Sequence, residues 1–199
     1  MAAAQRPSTP NRTQAFYVSF SAEINAHTTE SLIAVMADCV TKRATEINLL
    51  LSTPGGAVMN GINLYNVLRA LPVKLVTHNV GNVDSIGNAV FLAGEERYAC
   101  PHSTFMFHGV AAVFQPAAAQ LQLDAKQLRE RLDGLDADEL RIGSIIEQRT
   151  KLNHAEAVAL FREQRTKDAA NAVSAGIVHE IKDVQIPPGS PVVALVFQR

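Results

Sequence analysis

Residues 47–72 carry one complete folding unit that few architectures can host. The apolar run Ile47-Asn-Leu-Leu-Leu51 enters Pro54-Gly55-Gly56, after which Val58, Gly61, Leu64, Tyr65, Leu68 and Leu71 recur at helical spacing until Pro72 ends the series. A strand, a tight glycine turn and a helix follow one another without a linker. The pattern repeats on both sides. Upstream, a β-prone run at 16–20 precedes a helix with Leu32, Val35, Met36, Cys39 and Val40 on one face and Thr28 as its cap. Downstream come a strand at 73–76, a turn from Gly81 to Gly87, a short buried helix at 86–93, and strands at 97–99 and 104–107. Such alternation requires crossover connections and implies an α/β fold around a largely parallel sheet.

The flanks differ in texture. The opening MAAAQRPSTPNRTQ is small, polar and proline-containing, so residues 1–15 read as a flexible arm before one domain spanning 16–199. Residues 117–149 are rich in Gln, Leu, Ala, Glu and Arg and predict a long charged helix that projects from the body. Asn153 caps a helix reaching Phe161, and a last helix at 168–175 closes at Gly176 before strands at 177–181 and 192–197.

Composition narrows the classes of function. A net charge of -1 gives no electrostatic reason for a nucleic acid or anionic membrane partner. No apolar run reaches membrane-span length and residues 1–14 lack a secretory apolar core, so a cytoplasmic location is expected. Cys39 and Cys100 are isolated, and no His, Cys and acid cluster has ligand spacing. No disulfide, metal or organic cofactor is therefore expected.

Two residues could carry nucleophilic chemistry. Ser85 lies in Gly81-Asn-Val-Asp-Ser-Ile-Gly87, between a strand and an apolar helix, where free backbone N–H groups favour developing negative charge. By itself such a serine is more often a helix cap than a nucleophile. His108 ends the apolar strand Phe105-Met-Phe107 and precedes Gly109, which would bring the imidazole out at the sheet's edge. The paired glycines at 55 and 56 would let backbone amides face a reacting carbonyl. The order is specific: Gly-Gly turn, serine turn, then a histidine 23 residues beyond the serine.

The stretches LLLSTPGGAVMNGINLYNVLRAL, NVGNVDSIGNAVFLAGEERYACPHSTFMFHGV and NAVSAGIVHEI resemble the proteolytic subunit of the Clp protease, within the crotonase-like superfamily. The resemblance implies a ClpP/crotonase-like spiral of βαβ units, with residues 117–149 as the protruding "handle" helix. It also implies a serine endopeptidase with Ser85 as nucleophile, His108 as general base, and an oxyanion hole made by the amides of Gly56 and Ile86. The substrate would be a short or unfolded peptide, cleaved inside a homo-oligomeric chamber of seven-membered rings, single or stacked. Leu121, Leu128, Leu132, Leu135 and Ile142 on the handle call for an apolar partner.

Several positions depart from the family pattern. Counting back from Gly176, the triad aspartate falls on Gln164; the nearby acids are Glu163 and Asp168. Asp168 is the first choice for the third member, and it is equally placed to cap the following helix. Asp84, next to the nucleophile, could raise the pKa of His108 or point to solvent. Residues 1–14 have no counterpart of the family's axial loops, which speaks against docking to an AAA+ ATPase. Two other readings remain: a catalytically inactive structural subunit, and an acyl-CoA hydratase or isomerase using a carboxylate.

Overall fold

The sheet is assembled from strands whose partners lie far away in sequence. A computed structural model describes residues 14–111 and 124–197. Residues 1–13 of the expected arm, the beginning of the expected handle at 117–123 and Leu121 lie outside the described residues, whereas Ala15, expected to end the arm, instead opens the first strand. The strands are β1 (Ala15–Ser21), β2 (Glu46–Thr53), β3 (Lys74–Asp84), β4 (Glu96–Ala99), β5 (Thr104–Met106), β6 (Thr166–Asp168), β7 (Glu180–Ile181) and β8 (Val192–Leu195). Their path runs β6-β5-β3-β2-β1-β8, with β4 pairing both β3 and β7. Every pair is parallel except β5 with β6, as the βαβ alternation requires.

The helices are α1 (Ala26–Thr41), α2 (Val58–Arg69), α3 (Gly87–Phe91), α4 (Ala125–Arg149), α5 (His154–Glu163) and α6 (Ala169–Ser174). The cap of α1 differs from the expectation. Asn25 is the capping residue, accepting from the Thr28 amide at 3.0 Å, while Thr28 accepts the Asn25 amide in return. Thr28 therefore stands one turn inside the helix. Asn153 caps α5 as expected.

β3 runs through most of the stretch expected to be a turn. Residues 76–79 of β3 pair with β4, and Asn82, Val83 and Asp84 pair with Thr104, Phe105 and Met106 of β5. Two successive partners on one side keep the chain extended past Gly81. The turn is thereby compressed to Ser85 and Ile86. In the other direction, the strand expected at 177–181 shrinks to Glu180–Ile181. The amides of Ile177 and Val178 both donate to the Ala172 carbonyl, closing α6, and are unavailable to a ladder.

One buried cluster joins β1–β3, α1–α3, α5 and the C-terminal end of α4. In α4 the buried residues are Ile142, Gly143, Ile145 and Ile146, whereas Leu128, Leu132 and Leu140 are exposed. That end is anchored by Arg97, only 4% exposed. Its guanidinium donates to the carbonyls of Gly94, Arg149, Gly176 and Ile177, at or just beyond the C-termini of α3, α4 and α6. Three helix dipoles converge their negative ends on one cation. Burial, then Arg149 and Arg69, lower its pKa to about 10, so it remains charged.

Candidate active site

β3 and β5 bring Ser85 and His108 to one cavity. The Ser85 amide donates to the Met106 carbonyl at 2.8 Å, continuing the β3–β5 pairing by one step beyond Asp84. Ser85 itself takes φ 55, a left-handed conformation that a residue with a Cβ adopts only when its surroundings impose it. The chain thereby turns sharply from strand to helix and presents the serine at the bend. Two residues past β5 stands His108. Ser85 and His108 line a cavity of about 230 Å³ together with Gly56, Ile86, Phe107, Ile142 and Phe161.

The Gly-Gly turn fits closely against this bend. A Cβ on Gly55 would lie 2.7 Å from the Ser85 Cβ, and one on Gly56 would lie 2.2 Å from the Ile24 carbonyl oxygen. Both glycines also hold positive φ, 89 and 143. Gly56 forms a parallel bridge with Ile24, in which Ile24 N–H donates to Gly55 and Ala57 N–H donates to Ile24. The bridge uses the groups on either side of Gly56 and leaves its own amide facing away. Among the described residues, the amides of Gly56 and Ile86 have no hydrogen-bond partner, and both residues line the cavity. These are the two positions expected as oxyanion donors.

His108 is oriented by the main chain. Its Nδ1 lies 2.7 Å from the Gly109 carbonyl, which can only accept, so Nδ1 is the donor, and in the neutral tautomer this leaves the lone pair on Nε2. The Ser85 hydroxyl makes no hydrogen bond among the described residues. Glu139 of α4 holds the next residue, accepting from the Val110 amide at 2.9 Å.

The structure does not bring Asp168 to this cavity. Its carboxylate accepts from the backbone and side-chain amides of Asn171 at 2.8 and 2.7 Å, capping α6, and those bonds hold its pKa below the usual aspartate value. Glu163 is exposed and paired with Lys167, which lowers its pKa likewise. Asp84 accepts from Asn82 Nδ2 at 2.6 Å and is not among the cavity's lining residues. No carboxylate lines the cavity among the described residues.

The antiparallel β5–β6 pair, which the sequence did not announce, explains where an orienting group would come from. The ladder ends at Met106 with Thr166, and carrying its register two steps further would bring His108 opposite Gln164. Gln164 has left-handed backbone, φ 49, at the end of α5. The triplet Thr166-Lys-Asp168 is too short and too polar to read as a strand.

Asn88 is a second residue that sequence reasoning passed over. It is fully buried, and its Nδ2 donates to the carbonyls of Ser85 and Met106. A lone amide inside the apolar run 86–93 was the available signal.

Comparison with known proteins agrees with this architecture. The family model described as Clp protease matches residues 10–185. The proteolytic subunit 1 of the ATP-dependent Clp protease from Corynebacterium jeikeium (strain K411) is 32% identical over 84 residues, covering 41% of this chain and 45% of that one. The match thus spans less than half the length of the curated relative. A point mutant of ClpP1 from Listeria monocytogenes superposes with a TM-score of 0.72 over 87% of this chain and 93% of its own, at 18% identity, which establishes a ClpP-like fold. With a family match over most of its length and this fold, the chain belongs to the Clp protease family.

Proposed function

We propose that the protein is a serine endopeptidase that cleaves short or unfolded peptides through an acyl-enzyme. The observation that carries this reading is the meeting of Ser85, His108 with Nε2 unprotonated, and the unpartnered amides of Gly56 and Ile86 around one cavity. Ser85 Oγ attacks the peptide carbonyl as Nε2 of His108 takes its proton. The negative charge forming on the carbonyl oxygen is met by the Gly56 and Ile86 amides. As the C–N bond breaks, His108 returns the proton to the leaving amine, and water then cleaves the ester by the reverse sequence. Phe107, Val110, Ile142 and Phe161 make the cavity's walls apolar and favour an apolar substrate side chain.

The third role falls to the main chain and to the position of Gln164, and we assign Asp168 to capping. The exposed Leu128, Leu132 and Leu140 of α4 support assembly into a homo-oligomer. No helix among the described residues is long and apolar enough to cross a membrane, which is compatible with the proposed cytoplasmic location.

Hydrolysis of a fluorogenic peptide panel by the full chain, with Ser85→Ala and His108→Ala as controls, tests the reading. Turnover lost in both variants, together with fluorophosphonate labelling of Ser85, is the expected result. The glutamine at 164 and the unbonded Ser85 hydroxyl favour one other reading, a structural subunit without turnover. A wild type that neither hydrolyses nor labels would establish it.

A further inference from the structure

We infer that Asn88 is a positioning residue that keeps the Ile86 amide turned into the cavity and fixes the nucleophile turn to the strand leading to His108. The inference rests on the peptidase reading above and concerns one of its two oxyanion donors.

α3 is an apolar helix in which every residue is buried, and Asn88 is its one polar side chain. A buried amide there has no packing advantage over leucine, and its Oδ1 finds no partner among the described residues. What the amide does instead is donate twice. Its Nδ2 reaches the Ser85 carbonyl at 3.0 Å and the Met106 carbonyl at 2.9 Å. The Ser85 carbonyl also accepts from the Asn88 backbone amide at 3.1 Å, so one residue holds it with two bonds.

The consequence comes from peptide geometry. The Ser85 carbonyl and the Ile86 N–H belong to the same planar trans unit and point in opposite directions. Holding the carbonyl toward Asn88 therefore aims the Ile86 N–H the other way. A left-handed residue with a side chain, such as Ser85, needs surroundings that resist relaxation of its backbone. Without the side-chain bond, only the Asn88 backbone amide holds the carbonyl, and the donor's aim loosens. The second bond has its own effect. Met106 receives both the Ser85 amide and the Asn88 side chain, which locks the bend carrying Ser85 to the strand that ends two residues before His108.

Asn88→Leu in the full chain is the test, because leucine keeps the branched skeleton, with bulkier ends, and removes the unpaired acceptor. Thermal stability should fall modestly as the bulkier side chain is accommodated, while kcat on a peptide cleaved by the wild type falls about ten- to hundredfold with KM little changed. A peptide aldehyde, whose adduct with Ser85 needs the same donors, should lose affinity in parallel. The pH profile should keep its shape, since the base is untouched. Asn88→Ala should show the same pattern at lower stability, and it serves if the leucine variant does not fold. Equal kcat in wild type and either folded variant would overturn the inference, as would a rise in KM that accounts for the whole loss. A wild type without turnover or labelling removes the peptidase reading, and this inference with it.

Discussion

The Nδ1 proton of His108 points to the carbonyl of Gly109, 2.7 Å away in the next residue. In a Ser-His-Asp arrangement a buried carboxylate takes that proton, holding the tautomer and stabilising the imidazolium that forms when the serine is deprotonated. A carbonyl does the first and only part of the second. On the proposed reading, the imidazole is held in the right tautomer but weakly supported electrostatically.

Asp168 should accordingly be dispensable for chemistry. Asp168→Ala is expected to leave kcat/KM within about threefold while lowering Tm by roughly 2–4 °C through loss of the α6 cap. Peptide hydrolysis and a thermal scan on the same preparation check both halves.

Gln164 is the position from which a carboxylate would act. Its place opposite His108 in the continued β5–β6 register predicts that Gln164→Asp raises kcat by at least about tenfold, with little change in KM. An unchanged or lower kcat would mean that the side chain at 164 does not reach the imidazole.

Gly55 tests the close approach of the two turns. An alanine methyl would lie 2.7 Å from the Ser85 Cβ and 2.8 Å from the Asp84 carbonyl, on backbone at φ 89. Gly55→Ala is expected to cost about 1–3 kcal/mol of stability and to reduce turnover more than a hundredfold. Urea unfolding and fluorophosphonate labelling rates provide the measurement.

His78 gives the fold an acid limit. It is 6% exposed, its Nε2 lies 3.1 Å from Asn48 Oδ1, and its Nδ1 has no partner among the described residues. Burial, then Lys182, push its pKa from 6.5 down to about 4, against the opposing pull of Glu46 and Glu96. Between those values the unfolded chain binds the proton and the folded one does not, so stability is complete above pH 6.5 and is lost as pH falls toward 4. Allowing for partial solvation, the loss should approach about 2 kcal/mol. Urea unfolding at several pH values should show this slope in wild type and a flatter one in His78→Leu.

The pair Ser85 and His108, which shares one cavity, was legible because its cues are local. Ser85 sits in a glycine-flanked bend between elements of different period, and His108 follows an apolar strand. The two unpartnered amides at Gly56 and Ile86 followed from the same turns. The role of Asp168 could not be settled from its neighbours, since a residue that starts a helix and one that faces a histidine look alike in sequence. Deciding between them needed β6, whose three residues have no alternation to reveal them. The extension of β3 through Gly81 was likewise hidden, because its cause is the second partner strand and not the residues themselves.

The pairing of β1 with β8 joins Tyr17 to Val192 and Phe20 to Leu195. During synthesis the first strand emerges long before its outer neighbour exists. Until residue 195 leaves the ribosome, one side of β1 presents unpaired N–H and C=O groups, next to the buried Phe16, Val18 and Phe20. The nascent chain is thus open to strand addition on that side until residues 192–195 emerge, and their docking on β1 is the event that closes it.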